Sequence, residues 1–144
     1  MNDPEIVLQA IHENAEMGRE TIFHLREKAE GSFAALLRQQ QSAYDAILAR
    51  SGDMLREMGA RPRRPSWPLR AGDDAGTDAR AVRDNPTARA PRLMISGVAE
   101  GMRDLSEELA LHPDMNPKVR SLGEELIAAE QTHLNQWRQH LRSD

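Results

Sequence analysis

The sequence contains no cysteine, which excludes disulfide bonds, thiolate metal sites and cysteine nucleophiles. Aromatic residues are also scarce, at 3% of the 144 residues, so the core has to be built from Leu, Ile, Val, Ala and the seven Met. That composition favours helices, because straight-chain side chains lose little rotamer freedom there. A chain of this length is most simply one domain, and we expect that domain to span residues 1–144.

The chain also lacks an apolar run approaching the roughly 18 residues of a membrane helix. Its first residues, MNDPEIVLQ, lack the basic and then apolar segments of a secretory signal. We therefore expect a cytoplasmic protein with no membrane partner. The sequence has no P-loop, dinucleotide-binding fingerprint, nucleophile elbow or HExxH motif. A non-catalytic role is accordingly expected ahead of an enzymatic one.

Apolar residues at alternating spacings of three and four predict helices and no strands. The predicted boundaries are 4–29, 33–58, 91–111 and 117–141. Asp3 and Asn116 each precede a proline and are expected to be N-caps, whereas Gly59 is the expected stop of the second helix. Gly31 and Ser32 are expected to end the first helix and cap the second. The short turn between them predicts two antiparallel neighbours.

Residues 59–91, between the two predicted hairpins 4–58 and 92–141, are rich in proline, glycine and arginine. This segment carries seven Arg and four Asp and therefore has a net charge of +3. Because the whole chain has a net charge of −4, the remaining residues have a net charge of −7. An acidic bundle makes nucleic-acid binding by its surface unlikely as a function. A crossover this long predicts an all-α, ferritin-like four-helix bundle rather than a simple up-down-up-down one.

Two segments resemble the ferritin-like superfamily, in particular its small bacterial members of unknown function. They are ENAEMGRETIFHLREKAEGSFAALLRQQQSAYDAILARSGDMLREMGARP and EGMRDLSEELALHPDMNPKVRSLGEELIAAEQTHLNQWRQHL. The resemblance implies an all-α bundle of two antiparallel hairpins. The metal-binding members of that superfamily use a carboxylate from each of two helices and Glu-x-x-His from each of the other two.

One Glu-x-x-His motif is present, formed by Glu130 and His133, whose spacing aims both side chains at one point. With Glu16 and Glu100 as the carboxylates of the first and third helices, these residues are the candidate ligands for Fe or Mn. The set is incomplete, because the only Glu of the second helix is Glu57, near its end, and that helix has no His.

An alternative is that this region binds no cofactor and forms a buried polar layer that fixes register. In that interpretation the four residues of the layer form hydrogen bonds with one another, and His133 is the partner of the buried Glu130 carboxyl. The layer would consist of Gln40, Gln41, Glu130 and His133.

Two other clusters of residues each allow more than one interpretation. Helix 1 has His and Glu at spacings of four, which could bind zinc or could form a solvated face; these residues are His12, Glu13, Glu16, Glu20 and His24. The crossover has a basic cluster that could contact an anion or a partner, or could pack onto the bundle as a strap. Its residues are Arg61, Arg63, Arg64, Trp67 and Arg70.

The expected function is therefore that of a non-catalytic bundle acting through self-association, most simply as a dimer, or through a protein partner. Ile6 and Phe23 lie off the apolar seam of the first helix and are expected to be exposed. The alternative is a metal-binding redox or storage protein with an incomplete ligand set.

Overall fold

A computed structural model of the chain describes residues 2–27, 29–63 and 86–143. Four helices occupy these ranges, and no strand occurs within them: α1 Asp3–Arg26, α2 Gly31–Glu57, α3 Pro86–Leu111 and α4 Pro117–Ser143. The prediction of an all-α four-helix protein is confirmed. None of the described helices is long and apolar enough to cross a membrane.

Three helix starts differ from the predictions. The first helix begins at Asp3, and its N-cap is Asn2 rather than Asp3, because Oδ1 of Asn2 accepts from the N–H of Glu5 at 2.8 Å. The third helix begins at Pro86 rather than near Pro91. Proline is favoured in a first turn, where its missing N–H has no helical partner, and Pro86 takes that place instead of Pro91. The second helix begins at Gly31, whose φ of 63° makes the turn, so Ser32 lies inside the helix. Glu30 is the N-cap and makes no side-chain capping bond.

The first helix ends at Arg26 rather than at the predicted residue 29. The boundaries at Gly59 and Asn116 follow the predicted chemistry. Gly59 has a φ of 75° and ends α2, with its N–H donating to the carbonyl of Arg56 at 2.9 Å. Asn116 caps α4, since its Oδ1 accepts from the N–H of Lys118 at 2.9 Å. Glycine in the left-handed region and a polar cap are the expected stop and start signals.

The core is formed by the predicted apolar faces of all four helices. Its largest fully buried side chains include Trp137, Tyr44 and Phe33. The aliphatic part comes from Leu8, Ile11, Ile22, Leu37, Ile47, Leu55, Val98, Leu105, Leu109, Val119, Leu122, Leu126 and Leu134. Gly123 lets α4 pack closely on α3, because a Cβ there would lie 3.3 Å from Cδ1 of Leu109.

As residue numbers increase along α1, the residue numbers of the contacting side chains on α2 decrease. His12 Nδ1 lies 2.7 Å from Ser51 Oγ. Further along α1, Arg26 donates to Oε1 of Gln41 at 2.6 Å. Gly18 lies between these two pairs and packs against the ring of Tyr44.

The same opposite order joins α1 to α3 and α2 to α4. Asn14 of α1 donates to the carbonyl of Gly101 at 3.1 Å, and Asp3 lies 3.5 Å from His112 just after α3. The pairs that join α2 to α4 are Gln40 with Trp137, Tyr44 with Glu130, and Arg50 with Glu125. These contacts bring side chains of α1, α2 and α4 and the backbone of α3 together.

Candidate functional site

Glu130 and His133 lie together at the centre of the protein, as their spacing predicts. They are 2% and 4% exposed, respectively. Tyr44 reaches them from α2: its Oη donates to Glu130 Oε2 at 3.0 Å, and its ring meets that of His133 edge-on at 5.2 Å. The phenol therefore contacts both members of the Glu-x-x-His motif.

A second set of hydrogen bonds lies one turn further along α4. Trp137 donates from Nε1 to Gln40 Oε1 at 2.9 Å, and Gln40 Nε2 lies 3.4 Å from Gln136 Oε1. The indole ring is 5.9 Å from His133, which links the two sets. We call these six residues the central layer: Gln40, Tyr44, Glu130, His133, Gln136 and Trp137.

Burial makes the ionisable groups of the central layer neutral at neutral pH. It raises the pKa of Glu130 to about 8, although hydrogen bonds from Tyr44 and Asn14 act in the opposite direction. Burial also lowers the pKa of His133 to about 4 and raises the pKa of Tyr44 well above its usual value. A carboxylic acid, a neutral imidazole and a phenol are the species present.

Two atoms of the central layer have no hydrogen-bond partner, Oε1 of Glu130 and Nδ1 of His133. The prediction that the buried polar residues satisfy one another is therefore wrong for this pair, because Glu130 is partnered by Tyr44 rather than by His133. Gln41 does not belong to the layer: it is half-buried and accepts from Arg26. Unpartnered buried polar atoms are uncommon in folded proteins.

The ring of Tyr44 occupies the space that Gly18 leaves open on α1. A Cβ at position 18 would lie within 2.9 Å of Tyr44 Cε2 and closer still to Cζ. The hydroxyl of a buried tyrosine normally requires a partner, and that signal could have indicated the bond to Glu130.

The two other predicted carboxylate ligands lie elsewhere. Glu16 is half-buried and lies 3.9 Å from Nε2 of His12, whereas Glu100 is exposed on α3. Within the described ranges, no group of three or more His, Asp or Glu side chains is arranged to hold a metal ion. The side chain of His24 lies outside the described residues.

A Ser-His-Glu arrangement, which the sequence reasoning missed, joins α1 to α2. Ser51 Oγ donates to the carbonyl of Leu48 at 3.3 Å and accepts from His12 Nδ1. Burial lowers the pKa of His12, although nearby Glu16 acts to raise it. Because Ser51 is fully buried and would not meet a substrate, the arrangement serves as an interhelical hydrogen bond.

Two members of the basic cluster lie in the described part of the crossover. Arg61 and Arg63 are exposed, and Nη2 of Arg63 lies 3.6 Å from Oε2 of Glu13. Arg64, Trp67 and Arg70 lie outside the described residues, so the prediction of an anion-binding or partner-binding cluster stays a prediction.

Comparisons with protein-family models, with curated proteins and with solved structures find no match for this chain.

Proposed function

We propose that this protein is a ferritin-like helical bundle without catalytic activity, which acts by associating with a second copy of itself or with a protein partner. The observation that carries the proposal is the central layer. In a metal-binding bundle of this type, the middle positions of all four helices supply carboxylates and imidazoles. Here the ring of Tyr44 lies at that level, packed against Gly18, and Asn14 faces Glu130 from α1.

The order of contacts between helices supports the ferritin-like part of the proposal. When contacting residue numbers increase along one helix and decrease along the other, the order is typical of antiparallel neighbours. The contacts of α1 with both α2 and α3 follow this order. The α2–α4 pair has it as well. These three pairs support helix directions of up, down, down and up. That topology requires a long crossover between the second and third helices, which the chain provides.

Two exposed apolar side chains indicate where association is best tested. Phe23 on α1 is 55% exposed and Leu111 at the end of α3 is 72% exposed. Ile6, which was expected to be exposed, is half-buried and is not a candidate. Large apolar side chains that are exposed to water are typical of surfaces that bind a partner.

Sedimentation velocity over a wide concentration range tests self-association. We expect a dimer whose dissociation constant rises at least tenfold in either Phe23→Ser or Leu111→Ser. Gln39→Ser, an exposed change on α2, is the matched control and should leave the constant unchanged. A strict monomer at the highest concentration would exclude self-association and leave the proposal to depend on a separate protein partner.

A second candidate function, the binding of an iron or manganese ion, is favoured by one observation. Glu130 Oε1 and His133 Nδ1 are buried atoms of ligand type without a hydrogen-bond partner, and each binds a metal ion in its unprotonated form. The residues do not fit a two-metal centre, since Glu16 and Glu100 lie elsewhere, but Glu130, His133 and Tyr44 offer three donors for a single ion.

Metal analysis of protein from iron- and manganese-supplemented cultures decides this second candidate. Stoichiometric metal in the native chain, lost in His133→Ala and kept in His112→Ala, would support it. His112 is the suitable control because it lies at the far end of α3 beside Asp3 and Glu108. Trace metal that does not depend on His133 would remove this candidate.

A further inference from the structure

Gln9 on α1 is a buried polar residue that the central layer does not involve. It is 3% exposed, and both ends of its amide are bonded to the start of the crossover. Nε2 donates to the carbonyl of Arg61 at 2.8 Å, and Oε1 accepts from the N–H of Arg63 at 2.9 Å. One side chain thus binds two backbone groups on either side of Pro62.

The spacing of those two backbone groups is that of an extended chain. In an extended backbone the C=O of one residue and the N–H two residues later point to the same side. Pro62 favours this conformation, because proline fixes its own φ and restricts the preceding residue to the extended region. The amide of Gln9 therefore binds this segment as a neighbouring strand would.

Glu13, one turn further along α1, favours an arginine at the position of Arg63 in the bound segment. Its carboxylate pairs with the guanidinium of Arg63 at 3.6 Å. Upstream, Ala60 is held independently, since its N–H donates to the carbonyl of Leu55 at 2.9 Å. The segment consequently leaves the end of α2 and runs along α1 from Gln9 towards Glu13.

We propose that Gln9 and Glu13 form a docking site for an extended, arginine-bearing chain segment, and that residues 61–63 occupy it as a releasable strap. The strap is held by two neutral hydrogen bonds and by one ion pair between an exposed arginine and a partly exposed glutamate. Contacts of this kind open in local fluctuations well below the free energy of global unfolding.

Native-state hydrogen exchange of the Arg63 amide, measured by NMR, tests the strap directly, because that N–H is the one that Gln9 binds. In the native chain we expect protection that is measurable but at least tenfold weaker than that of core amides in α2. Replacing Gln9 with Leu should speed exchange at Arg63 by about tenfold, the effect of losing a typical hydrogen bond of this strength. Glu13→Gln should produce a smaller increase.

The chain provides two controls. The Ala60 amide is bonded within the end of α2 and should exchange at an unchanged rate in Gln9→Leu. Gln39→Leu alters an exposed glutamine on α2 and should leave Arg63 unaffected. No protection of Arg63 in the native chain would overturn docking, and protection equal to that of the α2 core would overturn release. Both results are obtained on the native protein, so the proposal stays testable even if Gln9→Leu fails to fold.

Discussion

Tyr44 Oη donates a hydrogen bond of 3.0 Å to Glu130 Oε2 and so joins α2 to α4 at the middle of the bundle. The two residues are 86 positions apart, and both are almost completely buried. The bond fixes the relative register of the two hairpins, because any sliding of α4 along α2 would leave two buried polar groups without partners.

Removing the hydroxyl should therefore destabilise the protein. Tyr44→Phe removes this hydrogen bond from the buried carboxyl of Glu130, and we expect a loss of about 1–3 kcal/mol in the free energy of unfolding. The double variant Tyr44→Phe with Glu130→Met removes both polar groups and should be more stable than the sum of the single changes predicts. Urea denaturation of the four proteins measures the coupling. Strict additivity would show that the bond does not stabilise the fold.

Stability should depend on pH through Glu130 and His133, with opposite signs. The folded state holds a proton on Glu130 between pH 4.5 and about 8 that the unfolded chain releases, so stability falls as pH rises through this range. The unfolded chain holds a proton on His133 between about pH 4 and 6.5 that the folded state lacks, so there stability rises with pH.

The two effects oppose each other up to pH 6.5, and above it Glu130 acts alone. We expect a nearly flat profile from pH 4.5 to 6.5 and then a loss of about 2 kcal/mol by pH 8. Glu130→Gln, which resembles the neutral acid in shape, should remove the loss above pH 6.5. Thermal unfolding across this range checks it, and an unchanged slope in the variant would assign the pH dependence to other groups.

Two glycine substitutions should have opposite effects. Gly18→Ala places a Cβ within 2.9 Å of the Tyr44 ring, which the bond to Glu130 holds in place, so we expect a loss of about 1–3 kcal/mol. Gly97→Ala on α3 meets no atom within 4 Å and should stabilise by roughly 0.5–1 kcal/mol through helix propensity. Chemical denaturation measures both. Equal effects would mean that the Tyr44 ring moves aside at no cost.

Arg120 of α4 should stabilise the end of α3. Its Nη2 donates to the carbonyls of Leu109 and His112 at 3.0 and 2.9 Å. These carbonyls otherwise accept the turn N–H groups of His112 and Met115 at 3.2 and 3.1 Å, in place of the regular helical bonds that end there. Arg120→Met keeps most of the aliphatic stem, and we expect it to cost about 1–2 kcal/mol. Arg50→Met breaks only the exposed pair with Glu125 and should cost less than about 0.5 kcal/mol. Similar losses in the two variants would contradict a capping role.

Much of the candidate site could be predicted from the sequence because its spacing is local. Glu130 and His133 are three residues apart, so any helix places them on one face. Their true partners could not be found in this way. Tyr44 and Trp137 have apolar bodies that fit a seam, and their polar groups reveal partners only when other helices are in position. The Gln9 contact was missed for the same reason, since it lies 52 positions from Arg61.

The sequence by itself determined the helices, since periodicity, Gly59 and Asn116 act within a few residues. Only the tertiary structure decided which side chains of different helices meet, such as Tyr44 with Glu130 and Gln40 with Trp137. It also decided the chemical state of the central layer: an isolated helix would leave Glu130 ionised in water, whereas burial in the bundle raises the pKa of that carboxyl to about 8. Burial is a property of the assembled bundle, and it controls which charges the protein can hold.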